Sequence, residues 1–210
     1  MSTIKFYHRE PAYSSIDEIK ESMIIEPFDE FIIPLKSGEI ATAVFGGYVK
    51  GGRRRFVLKD CIGEPHVMNK QPTNKGGYMN SELRRYVLDE LLPLFPDALR
   101  SAFIPRTMSE FIDGKAREYT DTLWIPSAAD VLGDAAGDYW EADPSGEQLR
   151  IFERERDRVK EVAGKGTYPW WLRSAYRSGS SGFAGVGTGG GVDSYYGADR
   201  SLGVAPGFDL

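Results

Sequence analysis

The sequence predicts an α+β fold, in which antiparallel strands and separate short helices share one domain. Three observations support this prediction. Segments 30–35, 39–49 and 54–58 are rich in Phe, Ile, Val and Tyr and are separated by turn-forming residues, which is typical of an antiparallel meander. The middle of the chain carries apolar residues at helical spacing, and residues 170–208 again place apolar anchors between turn residues.

The helices are predicted from capping residues that precede apolar positions with a 3.6-residue period. The first begins at Ser14 or Ser15, and the next opens at Asn80 or Ser81 and stops at Pro93. Further helical segments are expected at 96–103, 127–132 and 146–163. In the same part of the chain, residues 69–77 are predicted to form a loop and residues 122–126 a strand.

The composition is that of an ordinary globular protein of 210 residues, 41% of them apolar, with a net charge of −5. Without a basic excess, nucleic acid is not expected as a partner. The single cysteine, Cys61, excludes a disulfide within the chain and a zinc site built from cysteines. The first residues lack the apolar core of a signal peptide, and no apolar run approaches the roughly 18 residues of a membrane span. We therefore expect cytoplasmic synthesis without membrane insertion, and assembly into a virion is left open.

The most unusual stretch is 175–203, where 19 of 29 residues are Gly, Ser, Tyr or Asp and none is Lys, Glu or Asn. A disordered tail can share this composition, but such tails are poor in large apolar residues. Here apolar residues begin, interrupt and end the segment. We therefore predict three strands joined by two loops, with strands at 170–175, 182–188 and 202–208 and loops at 176–181 and 189–201.

In this arrangement some residues of the segment form a buried scaffold and others are exposed and available to bind a ligand. The expected scaffold residues are Trp170, Trp171, Leu172, Arg173, Phe183, Val186, Val192, Val204 and Phe208. The expected ligand-binding residues are Tyr176, Ser178, Ser180, Ser181, Asp193, Ser194, Tyr195, Tyr196 and Asp199. Antibody loops use a similar set of residues, in which Tyr supplies rigid contact area and small residues adapt to the ligand. Arg173 is expected to form a structural ion pair or hydrogen bond, and one of the two adjacent tyrosines to face the scaffold.

Several short motifs resemble those of a known family. The C-terminal part contains Trp170-Trp-Leu-Arg-Ser174 and ends in Gly203-Val-Ala-Pro-Gly-Phe208, and upstream stand Tyr78-Met-Asn-Ser-Glu-Leu-Arg84 and Leu123-Trp-Ile-Pro-Ser127. Together they resemble the C-type-lectin-like variable proteins of diversity-generating retroelements, a bacterial and phage group. The resemblance covers residues 28–208. It implies one C-type-lectin-like domain over residues 28–210, after an N-terminal extension of residues 1–27.

In that family, adenines of a template repeat are randomised and copied into the end of the target gene, so that Asn codons give Ser, Gly, Asp or Tyr. The composition of 175–203 is similar to that outcome. The resemblance implies a phage or prophage display protein with a hypervariable, receptor-binding region, which recognises a protein or glycan ligand on a cell surface. A non-variable structural module of a phage tail or envelope complex is the alternative. The oligomeric state is left open.

No catalytic, cofactor or metal site is expected. Gly185-Val-Gly-Thr-Gly-Gly190 fits the dinucleotide-binding pattern, but no helical period follows it. His8 and His66 stand far apart without metal-ligand neighbours, and Cys61 is expected to be a small buried apolar residue. The calcium and sugar motifs of true C-type lectins are absent from the sequence. An enzyme is the third hypothesis, for which the 175–203 segment offers as charged groups Arg177, Asp193, Asp199 and Arg200.

Overall fold

The computed structural model describes residues 13, 15–22, 25–49, 51–112, 114–137, 139–141 and 143–210, and gives the backbone alone for Ser194 and Tyr195. It shows an α+β protein with antiparallel sheets, as predicted. The strands, in chain order, are β1 (Glu30–Pro34), β2 (Ile40–Val49), β3 (Arg53–Leu58), β4 (His66–Val67), β5 (Arg106–Ile112), β6 (Lys115–Asp121), β7 (Glu161–Val162), β8 (Gly166–Thr167), β9 (Trp170–Ala175), β10 (Gly182–Val186), β11 (Val192–Gly197), β12 (Ser201–Leu202) and β13 (Gly207–Asp209). The α-helices are α1 (Ile16–Glu21), α2 (Glu82–Tyr86), α3 (Asp97–Arg100) and α4 (Ala128–Leu132).

The larger sheet has the strand order β1-β2-β3-β13, and each neighbouring pair is antiparallel. Its first three strands form the predicted meander. The fourth strand comes from the end of the chain and pairs Phe208 with Phe56. Those two buried rings stack with 5.4 Å between their centroids. The first and last parts of the chain therefore share one core.

Residues before position 28 also contribute to this core. Ile19 and Ile25 are buried in it, and Tyr13 forms a β-bridge with Phe31. The Arg54 guanidinium donates hydrogen bonds to the carbonyl oxygens of this N-terminal segment, one of them 2.6 Å long. The segment is therefore attached to the domain by both apolar burial and hydrogen bonds.

Two buried ion pairs, one in the larger sheet and one in the middle of the chain, meet at the Trp124 ring. Arg55 donates two hydrogen bonds to Asp209, both 2.8 Å long. Arg106 donates to Asp130 at 2.8 and 3.1 Å. The two guanidinium groups lie over the Trp124 ring, at 5.1 and 4.3 Å from its centroid. Because all of these side chains are buried, each charged group depends on its partner.

Three helices begin at predicted capping residues. Ser15 and Ser127 start α1 and α4 with capping boxes, in which the third helical residue bonds back to the cap. The Ser81 hydroxyl accepts a hydrogen bond from the Arg84 amide at the start of α2. That helix continues as a π-helical and then a 3₁₀ turn through Leu94, close to the predicted end at Pro93. None of the helices in the described ranges is both long and apolar enough to cross a membrane.

Two predicted elements are wrong. The segment 146–163 is not a helix but two 3₁₀ turns, Arg150–Phe152 and Glu155–Arg158, followed by β7. Its apolar residues 149, 151 and 152 are all buried and β7 pairs with β8, so tertiary contacts override helical propensity. The segment 122–126 is not a strand, because Trp124 alone bridges to another part of the chain.

The smaller sheet has the order β11-β10-β9 and is also antiparallel. Strands β9 and β10 confirm the first two predicted strands of the C-terminal segment. The predicted loop 189–201 is wrong in part, since it contains β11. The chain reverses between Gly187 and Gly191, whose backbone hydrogen bond is 2.8 Å long, and then returns along β10.

The predicted strand 202–208 is divided between two sheets. Its first residue lies in β12, which pairs with β4, and its last two residues lie in β13, which pairs with β3. Pro206 lies between the two short strands. Proline has no amide hydrogen and interrupts a strand ladder, so the chain passes from one sheet to the other at this point.

Candidate functional site

Three segments adjoin one another at the free edge of the smaller sheet, and we call them together the display face: loop 176–181, strand β11 and turn 198–201. The pairing of Gly182 with Gly197 brings β11 beside the end of the loop. The Ala198 amide donates to the Ser181 carbonyl at 2.8 Å, which joins the turn to the loop. The face is thus built from parts of the chain before and after β10.

The exposed residues of the smaller sheet come from its loops and from β11. Residues 170–174 of β9 and 182–186 of β10 are all buried, so these two strands contribute no exposed side chain. Ala184 of β10 stands opposite two residues of β11 and three residues of β9. Such β-bulges bend a sheet and redirect its side chains. The burial of both strands means that other parts of the protein cover both faces of β9 and β10.

Most of the predicted ligand-binding residues reach the surface of the display face. Five of them have exposed side chains: Ser178, Ser180, Ser181, Asp193 and Asp199. Tyr176 and Tyr196 are half-buried, while the side chains of Ser194 and Tyr195 lie outside the described residues. Arg177 and Arg200 are exposed as well, so the face carries charges of both signs.

Both half-buried tyrosines rest against glycines. The Tyr196 ring covers Gly185, where an added Cβ would lie 2.7 Å from it, and meets the Trp171 ring edge-on with 6.2 Å between centroids. Burial raises the pKa of the Tyr196 hydroxyl. The Tyr176 ring covers Gly179 in the same way. Rings held against the backbone lose little conformational freedom when a ligand binds.

The predicted scaffold residues are buried in the core, with Val192 as the exception. The buried ones are Trp170, Trp171, Leu172, Arg173, Phe183, Val186, Val204 and Phe208, and Val192 is half-buried. The indole nitrogens of the two tryptophans donate to the carbonyl oxygens of Arg158 and His66, at 2.9 and 2.8 Å. Arg173 forms a buried ion pair with Asp143. Burial alone lowers the pKa of Arg173, but the surrounding acidic groups outweigh this effect and raise it.

Asn74 supports the display face, although sequence analysis did not single it out. Its side-chain Nδ2 lies 2.9, 2.8 and 3.1 Å from the carbonyl oxygens of Tyr176, Gly179 and Gly182. Its backbone amide donates to the Ser180 carbonyl at 2.9 Å. Each acceptor is a main-chain atom, which is present whatever side chain the residue carries. Asn74 therefore fixes the path of the loop without restricting its side chains.

A second contribution that sequence analysis missed comes from residues 139–141. Trp140 forms a β-bridge with Tyr176, and the Arg177 amide donates to the Tyr139 carbonyl at 3.1 Å. The Tyr139 side chain is 67% exposed. The buried Trp140 Nε1 has no hydrogen-bond partner among the described residues. An exposed aromatic ring thus adjoins the display face from outside the predicted segment.

The glycines of the 175–203 segment fall into two groups. Gly190 has a φ of 92° and lies against the main chain of Glu155, so that a Cβ there would overlap the Glu155 carbonyl. Gly203 lies against Cys61 with similarly little space. Gly189 has open space around it. Packing therefore requires some of these glycines, and composition alone does not separate them from the others.

Comparison with known proteins identifies one family. A family model described as a domain of unknown function (DUF6273) matches residues 53–210, which is more than half of the chain and includes the whole display face. No curated protein and no solved structure matches the chain.

Proposed function

The chain belongs to the DUF6273 family, and we propose that it is a ligand-binding display protein with a C-type-lectin-like fold, whose display face is diversified by a retroelement. Its ligand is a protein or a glycan on a cell surface. Its role is recognition rather than catalysis. In this proposal a phage or prophage encodes the protein, which acts on a virion or at a cell surface.

The observation that carries the proposal is the kind of contact that holds the display face. Loop 176–181 is fixed through its carbonyl oxygens by Asn74 and through the Arg177 amide. Turn 198–201 is fixed by the backbone bond from Ala198 to Ser181, and the Asn69 amide donates to the Ala198 carbonyl at 2.8 Å. Side chains can therefore change on this face while the backbone keeps its path. A diversified binding surface needs this property.

The buried scaffold supports the same proposal. The two tryptophans and Phe183 are buried on β9 and β10, the strands that flank loop 176–181, so the loop is carried by buried strands. Binding residues are often placed on loops that a rigid scaffold positions. The exposed serines, aspartates and arginines and the half-buried tyrosines are residue types that adaptable protein-binding loops use.

The coding DNA provides the first test. We expect a template repeat beside the gene that matches codons 176–199 and carries adenines at the diversified codons, with a reverse transcriptase gene nearby. Finding neither would remove the diversification part of the proposal. The display face would then have to be tested as a fixed binding surface.

Sequences from many isolates provide the second test. Under the proposal, substitutions concentrate at exposed positions such as Ser178, Ser180 and Asp199, while Asn74 and Gly190 do not change. Gly189 serves as an internal comparison, because it has space for a side chain and is expected to vary. Substitutions spread evenly over the chain surface would instead favour a non-variable structural module of a phage tail or envelope complex.

A further inference from the structure

A cavity of about 250 Å³ lies between the larger sheet and the segment 150–160, and no residue of the display face lines it. Its apolar walls include Phe28, Val44 and Ile151. Charged residues also line it: Glu30, Lys59, Arg156, Asp157 and Lys160. A concave space that combines apolar walls with polar groups can hold a small molecule.

Lys160 contributes a buried amine to the lining of the cavity. The residue is 4% exposed, and its Nζ donates to the carbonyl oxygens of Leu58 and Lys59 at 2.5 and 2.9 Å. The Nζ also lies over the rings of Trp170 and Phe152, at 5.0 and 5.7 Å from their centroids. Leu58, Lys59 and Phe152 all line the cavity, so the amine and the cavity share one wall.

No carboxylate of the described residues forms an ion pair with Lys160. The neighbouring acidic groups have other partners: Glu30 pairs with Lys59 at 2.7 Å, Asp157 with Arg156 at 3.7 Å, and Asp60 accepts the Glu161 amide at 2.9 Å. An ammonium has three N–H groups, and two of them are used by the carbonyl oxygens. Buried charges are normally paired because an unpaired one is costly.

Phe28, which lines the same cavity, is an independent sign of a special environment. It has a φ of 74° and is the only non-glycine residue with positive φ in the described part of the chain. Its ring is 46% exposed. A positive φ is unfavourable for a bulky residue, and such strain clusters at functional sites. The strained backbone holds an apolar ring at the cavity.

We propose that this cavity binds a small monocarboxylate with an apolar body, whose carboxylate accepts the third N–H of Lys160 and supplies its missing negative charge. The apolar walls then contact the body of the ligand. The site is independent of the proposed display function, because the two share no residue. Each can therefore fail without the other.

The pH dependence of binding follows from the groups around the amine. Burial lowers the pKa of Lys160 to about 8, and the electrostatic interactions with Cys61 and Asp60 act in the opposite direction. Lys59, Arg156, Glu30 and Asp157 also line the cavity. A bound carboxylate favours the protonated amine. Binding is therefore expected to weaken as the pH rises above about 8, where the free amine loses its proton.

Calorimetric titration of the full chain tests the proposal with hexanoate and benzoate as probes and 1-hexanol as the neutral match. Near neutral pH we expect both acids to bind, and the alcohol to bind at least about tenfold more weakly, as for the loss of a charged hydrogen bond. Failure of both acids to bind would overturn the proposal. Equal affinity for the alcohol would overturn the assignment of an anion.

Two variants locate the binding. Lys160→Met is expected to weaken hexanoate binding by at least about tenfold, and Val44→Phe, which fills the cavity, to abolish it. Lys165→Met removes an exposed lysine that does not line the cavity and is expected to leave affinity unchanged. Circular dichroism checks that each variant is folded, and the pH titration of the unmodified chain needs no variant. Unchanged affinity in folded Lys160→Met or Val44→Phe, or unchanged affinity at high pH, would contradict the proposal.

Discussion

The central core and the display face are held in shape by different kinds of contact. In the core, buried side chains pair with each other, as Arg106 does with Asp130 and Arg55 with Asp209. At the display face, Asn74 donates hydrogen bonds to main-chain oxygen atoms of the loop it supports. The core therefore requires particular side chains, whereas the loop of the display face requires only that its backbone follow a particular path. The contacts that stabilise the core and those that fix the loop therefore lie in different parts of one small protein.

Breaking a core ion pair is expected to have the largest effect. Asp130→Asn leaves the buried Arg106 without a counter-charge, and we expect a loss of about 3–5 kcal/mol in the free energy of unfolding. Urea denaturation measures it. Asp97→Asn is the matched control, because its ion pair with Lys36 is exposed to solvent and is expected to contribute much less to stability. Equal losses in the two variants would contradict the comparison.

The turn between Gly187 and Gly191, which leads into β11, tests how far the backbone conformation limits substitution. Gly190→Ala requires a side chain at a positive φ and against the Glu155 carbonyl, and is expected to cost about 2 kcal/mol or more. Gly189→Ala, one residue earlier, is expected to stay within about 0.5 kcal/mol. Thermal unfolding of the pair measures the difference. If Gly189→Ala lowers the stability of the protein as much as Gly190→Ala, the distinction between glycines that packing requires and glycines that it does not require is wrong.

Removing the support of the loop is expected to have an intermediate effect. Asn74→Ala removes a side-chain amide whose two N–H groups are shared among three carbonyl oxygens, and we expect a loss of about 1–3 kcal/mol in the free energy of unfolding. Trypsin cleavage after the exposed Arg177 should accelerate, because the loop loses its fixed path. Asn80→Ala removes one exposed hydrogen bond to Gly76 and serves as control. Unchanged cleavage in Asn74→Ala would show that the loop is held by other contacts.

The buried lysine makes the stability of the core depend on pH. Burial lowers the pKa of Lys160 to about 8, whereas an unfolded lysine keeps its proton to about pH 10.4. The unfolded state then binds more protons above pH 8, so the free energy of unfolding rises with pH, by about 1–2 kcal/mol between pH 7 and 9.5.

The measurement belongs in a Cys61→Ala background, because burial raises the pKa of Cys61 to about 12 and this thiol has the opposite effect on stability. Adding Lys160→Met should remove the rise. A rise that persists in the double variant would assign it to another group.

The smallest effects are expected on the display face itself. Ser178→Ala changes an exposed side chain and should alter the free energy of unfolding by less than about 0.5 kcal/mol. Ser174→Ala, in the adjoining strand, removes a buried hydroxyl that accepts the Ala128 amide at 2.9 Å, and should cost about 1–2 kcal/mol. Chemical denaturation compares the two. A large loss in Ser178→Ala would mean that the face does not tolerate substitution.

Local signals in the sequence were sufficient for part of this fold. Serine caps at Ser15, Ser81 and Ser127 act through their own helix ends, and β9 has the predicted bounds. The segment 146–163 was mispredicted because its apolar residues could be placed on one face of a helix, whereas Phe152 instead packs in the core beside Trp170. Such long-range packing leaves no regular period in the sequence.

The candidate site shows the same limit. The exposure of Ser178 and Asp199 follows from their polarity and from the turns around them, which a sequence displays. The supporting role of Asn74 depends on a contact across about a hundred residues, and Asn74 stands in a polar loop like many others. Tyr139 joins the face only because residues 139–141 lie beside the end of β9.

The position of β13 determines which changes in the codons of the display face still give a folded protein. This strand is translated after the display face, yet it completes the sheet that β1 begins and supplies the counter-ion of Arg55. A copying error that shifts the reading frame within codons 176–201 therefore deletes Phe208 and Asp209 from the protein. Such a chain lacks part of its core and is exposed to proteolysis. Substitutions that preserve the frame escape this penalty, so under the proposed diversification folding would select against frameshifted copies of the gene.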